Sequence, residues 1–184
     1  ELEALTLALS KTESEYGAFR VSYSPPMNNL RAVDYIRNNR LPNFFAYMGF
    51  EAHEDDSNIV LIPFPVHLGV VGYRVCFGSD PVIKRIKNIQ TVEDLKPFSF
   101  AMGRGWGDVA IFKHNGLRVI ESASYQSLFT RTVAGRIDLF CRGIHEFHHE
   151  MQNFAKIIPL TLEPDLLLYY PFPRFLYTHP SNHR

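Results

Sequence analysis

The sequence is short of the features that mark most ligand classes. It has no Gly-x-Gly-x-x-Gly turn and no Gly-Lys-Ser/Thr of a phosphate-binding loop, which disfavours dinucleotides and nucleotides. No apolar run approaches the roughly 18 residues that a membrane helix needs, so no membrane insertion is expected. Neither sign of charge is in excess. The 19 Lys and Arg balance 19 Asp and Glu over 184 residues, leaving no electrostatic case for nucleic acid. No serine sits in a Gly-x-Ser-x-Gly elbow. No signal peptide precedes Glu1, which says nothing about destination.

Hydrophobic residues at 46% against 21% charged are enough for a packed core, and 14% aromatics suit aromatic-walled clefts or ordinary interiors alike. There are two cysteines, Cys76 and Cys141, in similar strand contexts, Tyr-Arg-Val-Cys-Phe and Asp-Leu-Phe-Cys-Arg. They are free buried thiols, or a disulfide if those strands are neighbours in an oxidising compartment.

The stretch over residues 97–116, PFSFAMGRGWGDVAIFKHNG, organises the rest. Residues 98–102 alternate as a strand. Gly103, Gly105 and Gly107 then break it, Asp108 suits a helix N-cap, and Val109, Ile111 and Phe112 form an apolar stripe. A strand, a glycine-rich turn and a helix start aim backbone N–H groups and a positive dipole end at whatever lies in front. Arg104 and Trp106 add a cation and a flat wall. The turn reads as a site for an anionic or carboxylate-bearing small molecule, or as an ordinary turn that binds nothing.

Along the chain, a helix opens over residues 2–15 and a strand is expected over 19–23. Asn28 or Asn29 caps a helix over 30–39, and a strand follows over 44–48. Extended runs come next over 59–65 and 70–77. Thr91 starts a short helix, 117–120 is a strand, and Ser124 caps a helix to Ala134. Residues 137–141 are a buried strand, 144–154 a helix, and 166–170 and 174–177 are extended, with Pro171 and Pro173 confining any strand there to an edge. The alternation implies an α/β class with mainly parallel sheet.

Thr91-Val-Glu-Asp-Leu-Lys96 before a strand and glycine turn, then Ser124-Tyr-Gln-Ser-Leu-Phe and Ala134-Gly-Arg-Ile-Asp138, resemble segments of bacterial extracellular solute-binding proteins of the amino-acid-binding type. The resemblance implies a two-lobed type II periplasmic-binding fold, with a hinge of two crossing strands and a ligand cleft between the lobes. Lobe one would be residues 1–69 and 144–184. Residues 70–81 would be the first hinge strand and crossover, 82–137 lobe two, and 138–143 the return hinge strand. The family's first strand and its C-terminal helices are missing, so a fragment of a longer chain is expected. The family's carboxylate clamp would fall at residues 51–56, here Glu-Ala-His-Glu-Asp-Asp, and its amine-binding aspartate is replaced near Arg142-Gly143. An amino-acid ligand is therefore not implied.

Arg74, Arg104 and Arg142 would converge on that cleft, as guanidinium groups suited to carboxylate or phosphate. Alternatively Arg74 and Arg142 pair with Glu146, Asp138 or other acids and only brace the hinge. With Gly103, Gly105, Trp106, Gly107 and Asp108 they make the expected ligand-binding set. His145, His148, His149 and Glu150 read as a solvated helix face or an adventitious metal site, and no cofactor or metal is expected. Asp108 or Glu146 beside a histidine would suit acid–base chemistry, but no spacing demands it. The implied function is periplasmic or extracellular capture of a small polar, anionic or carboxylate-bearing solute for transport, with a permease as partner. A ligand-sensing module of a signalling protein is the alternative, and an enzyme of the same fold the weaker third.

Overall fold

The structure, a computed structural model, describes residues 2–49, 56–154 and 161–182. Helix α1 (Leu2–Tyr16) buries no residue. Residues 19–23 alternate as a strand should, yet form none, because no described strand lies beside them to complete a ladder. Asn28 caps α2 (Asn29–Arg37) by accepting the Arg31 N–H. Ala32 and Ile36, four apart on one face, are buried with Ala46, Met48 and Tyr177. The last three belong to a small antiparallel sheet. In it β1 (Phe45–Gly49) and β2 (Val60–Ile62) flank the last strand, which runs Arg174–Thr178.

The chain crosses to a larger sheet through residues 63–72, ending in a 3-10 turn at Val70–Gly72. There β3 (Tyr73–Gly78) leads into α3 (Asp80–Ile86), a helix the hydrophobic pattern did not announce. Its signal was Pro81 in the first turn. Thr91 forms a capping box with Asp94 around α4 (Val92–Leu95). Next come β4 (Ser99–Gly103), α5 (Asp108–His114), β5 (Arg118–Ser122), α6 (Tyr125–Val133) capped by Ser124, β6 (Leu139–Gly143) and α7 (Ile144–Phe154). Then β7 (Thr161–Tyr169) joins the larger sheet, and β8 (Arg174–Thr178) returns to the small one.

The larger sheet has the order β5-β4-β6-β3-β7. Period-two alternation sends Phe100 and Met102 to one face, packed with Val82, Ile86 and Phe112. Ala101 goes to the other face, with Leu128, Phe129 and Phe140. Only β4–β5 and β4–β6 are parallel, two of the six pairings among described residues, which corrects the mainly parallel expectation. The reason is that β3 enters the sheet and β6 runs back beside it, while β8 lies antiparallel to both its neighbours. Proline at position 164 is tolerated because β7 is an edge strand.

Two lobe assignments are corrected. Residues 138–143 are not a return hinge, since β6 stays inside the larger sheet and runs into α7, which packs on β3 and β6. Residues 161–169 do not belong with the small sheet, because β7 hydrogen-bonds to β3. The return crossing is at residues 170–173, where Pro171 and Pro173 break the strand.

Cys76 and Cys141 are direct cross-strand partners of β3 and β6 and are joined by a disulfide. Their Cα atoms are 4.0 Å apart, closer than the roughly 4.4–6.8 Å usual for such bonds. The bond closes a loop of 65 residues that contains most of the larger sheet's α/β elements. Loop-closure entropy on that length is worth on the order of 4 kcal/mol, of which natural disulfides commonly deliver about 2–4. Reduction, or the Cys76→Ser/Cys141→Ser pair, should lower the urea midpoint by that much stability. Equal midpoints for oxidised and reduced protein would show that the strand pairing alone holds β3 and β6 together.

Candidate functional site

The two sheets face one another across a cleft, and its cavity, of about 120 Å³, lies at the C-terminal ends of β4 and β6. Open α/β sheets place their sites at such strand ends, where the following helices begin. Asn29, Gly49, Phe172 and Arg174 line it from the small-sheet side; Arg74, Trp106, Gly107, Asp108, Arg142 and Glu146 line it from the larger sheet.

Each of its cations meets a carboxylate. Arg74, 3% exposed, lies 2.6 Å from Asp108 and 3.8 Å from Glu146. Arg142 is 3.0 Å from Glu146 and donates Nε to Glu150 at 2.7 Å. Arg174 approaches Glu146 at 3.8 Å from the other sheet, and donates to the Tyr47 carbonyl at 3.3 Å. The Arg142 guanidinium also lies over Trp106, 4.7 Å from the ring centre, with Tyr125 at 5.5 Å. The Tyr125 hydroxyl donates to Glu150 and that of Tyr170 to Asp108. Burial pushes both phenols far above their ordinary range, and the adjoining carboxylates push them further.

Two of the carboxylates sit at helix starts. Asp108 is the first residue of α5 and not its N-cap, a position taken by Gly107 with helical dihedrals. Glu146 lies in the first turn of α7 and accepts the Gly143 N–H at 3.1 Å. Burial drives the Glu146 carboxyl upward, but Arg142, Arg174, His145 and Arg74 outweigh it and hold the group below its ordinary value. Glu150 goes the other way: burial raises it, and Arg142 and Tyr125 recover only part.

The glycine turn faces this cleft only at its end. Trp106, Gly107 and Asp108 line the cavity; Gly103, Arg104 and Gly105 do not. A Cβ on Gly103 would lie 2.2 Å from the Trp106 ring, so that glycine admits the tryptophan and not a ligand. Gly105, at φ +75°, lies under Leu30 of α2, and its carbonyl accepts from Asn29. Arg104 is exposed. The cation opposite Arg142 is thus Arg174, whose signal in the sequence was its place just after the Pro171-Phe-Pro173 crossing.

Of the histidine-rich segment, His145 is half-buried rather than solvated, its ring 4.8 Å from that of His67, and burial lowers its pKa. His149 is exposed, and the His148 side chain lies outside the described residues, as does most of the 51–56 stretch. No group of three or more His, Cys, Asp or Glu able to hold a metal occurs among the described residues. Asp138 faces away from the cleft, accepting from the Ser99 N–H at 2.8 Å and near Arg85 and Arg118.

The fold is that of the type II periplasmic binding proteins. An ancestral arginine-binding protein bound to arginine superposes with a TM-score of 0.64 at 13% identity, over 97% of this chain and 74% of that one. The periplasmic VFT2 domain of Bordetella pertussis BvgS gives 0.66 at 11%, over 96% and 71%. The GluR0 ligand-binding core of Nostoc punctiforme, in complex with L-glutamate, gives 0.64 at 10%, over 97% and 77%. No protein-family model matches the sequence, and no curated protein matches it significantly.

Two outcomes follow from this geometry. Trp106 is the sole tryptophan, so Gly103→Ala should displace its ring and shift its fluorescence; an unchanged spectrum would mean the turn absorbs the methyl without moving the wall. Carbon-detected NMR titration of the glutamates should find Glu150 protonating above the ordinary 4.5 and Glu146 below it. The ion pairs of Glu146 therefore stabilise the fold above 4.5 and are lost as pH falls through its depressed folded value. Ionised Glu150 costs stability, and that cost is relieved as pH falls through its raised value. The reverse order of protonation would contradict the pairing described.

Proposed function

We propose that this chain is a solute-binding module that captures a small polar, carboxylate-bearing ligand between its two sheets, outside the cytoplasm, for delivery to a membrane permease. The observation that carries the reading is the approach of Arg74, Arg142 and Arg174 to one small cavity from both sheets. A guanidinium takes a carboxylate bidentately, and contributions from both sides make binding and lobe closure one event. Trp106 offers a rigid wall for the apolar part of such a ligand. The Cys76–Cys141 disulfide supports an oxidising compartment. Solved structures of this fold bound to arginine and to L-glutamate support binding over catalysis and a ligand of that size class.

Sensing is the second reading, with a signalling partner in place of the permease. It is favoured by the ion pairs that Glu146 makes towards both sheets, which give the cleft a closed arrangement built from its own groups. The fold is shared with a BvgS domain.

The test is native mass spectrometry of protein purified without refolding, then calorimetry of the parent and Arg174→Ala against whatever small acid co-purifies and a panel of hydroxy, keto and amino acids. Losing one charge-assisted contact should weaken binding about tenfold to hundredfold, equivalent to roughly 1.5–3 kcal/mol. Co-purification of nothing, with a panel that gives no heat, would reject the cleft as a receptor site.

A further inference from the structure

We infer that Glu146 is a built-in carboxylate that occupies the guanidinium site of the cleft, latches the two sheets together, and must be displaced by any carboxylate ligand. The inference rests on the cleft being the binding site and names the group that a ligand has to replace there.

The geometry assigns the two carboxylate oxygens different tasks. Oε2 accepts the Gly143 N–H at 3.1 Å, which ties it to the helix start. Oε1 lies 3.0 Å from Arg142 of the larger sheet and 3.8 Å from Arg174 of the small one. Arg74 stands 3.8 Å from Oε2. One carboxylate therefore faces three guanidinium groups and a backbone donor, the surroundings a bound carboxylate ligand would require. Asp108 and Glu150 cannot take this role, since each contacts larger-sheet cations alone, Arg74 and Arg142 respectively. Glu146 is the carboxylate that reaches a cation on each side.

The tether also explains why Glu146 can leave. It is the most exposed of the cleft carboxylates at 21%, against 10% for Asp108 and 9% for Glu150. It sits in the first turn of α7, where a rotamer change carries the side chain away from the cavity without moving the backbone. The intramolecular carboxylate acts at an effective concentration set by that tether, so a lone external carboxylate is a poor competitor. Its removal should open a vacancy shaped for one.

The probe is acetate, with chloride at matched ionic strength as the control, on the parent and on Glu146→Ala. Acetate should leave the parent's Tm unchanged. At about ten times its Kd for the variant it should raise the variant's Tm by about 3–5 °C, with chloride ineffective. Adding Arg174→Ala to the variant should abolish the gain. Glu146→Gln, whose amide still fills the space, should show none. If Glu146→Ala is unfolded in chloride, recovery of the fold in acetate supports the latch, and failure to recover in either salt overturns it. A folded variant indifferent to acetate, or a parent that responds equally, also overturns it. The two failures are separable: a parent that binds a panel acid while the variant ignores acetate keeps the binding site and loses the latch.

Discussion

The cleft is governed by charge neutrality at low dielectric. Three guanidinium groups and three carboxylates meet where two sheets face each other, and several of them are nearly out of reach of water. An unpaired ion in that position costs several kcal/mol, so no member of the set can be read alone. Arg74 is buried because Asp108 is beside it; Glu150 is buried because Arg142 and Tyr125 are. The pairing also sets the form of the backbone around it. Gly103 is bare so that Trp106 can lie under Arg142, and Gly107 holds the cap position so that Asp108 enters the first turn, with Arg74 against it.

Of the helices that begin at the cleft, α5 and α7 carry a carboxylate in their first turn, while α2, which starts at Asn29, carries none. A helix start favours negative charge, and a free one is a common anion site. At α5 and α7 that position is filled from within the chain, so these dipole ends stabilise the resident acids first. Together with Glu150, these two acids turn the arginines from an open anion trap into a balanced network. That balance separates this cleft from one that would draw in any anion.

Much of this was legible in the sequence. The strand, glycine turn and helix over residues 97–116 read correctly because three glycines, a lone Asp and an apolar stripe agree on one local structure. Arg74 and Arg142 were legible as cleft residues because each lies on a short buried run, and their alternative as paired ions was open from the start. Arg104 was misplaced because spacing along a turn does not say which side chains face the sheet ends. Arg174 was not singled out, and Glu150 reads from the sequence as part of a solvated helix face yet is buried against Arg142, since their roles depend on a crossing at residues 170–173 and on how α7 lies against β6. The return crossing itself was put at 138–143 because a buried apolar strand looks the same in a hinge and in a sheet interior. Residues 19–23 show the converse: alternation marks a face, but a strand also needs a partner.

A charge-balanced cleft changes what a ligand can gain. An incoming carboxylate that replaces Glu146 exchanges one ion pair set for another, so its charge contributes little net free energy beyond what the resident group already supplied. The displaced Glu146 gives up its ion pairs, a loss offset in part because it is partly exposed and regains water. The surplus that makes binding favourable has to come from the rest of the ligand: its fit to a cavity of about 120 Å³ and its contact with Trp106 and Phe172. Charge then admits a class of molecule, and shape selects within it. Under the proposed function, such a division would let the cleft ignore abundant simple anions and close on one particular acid.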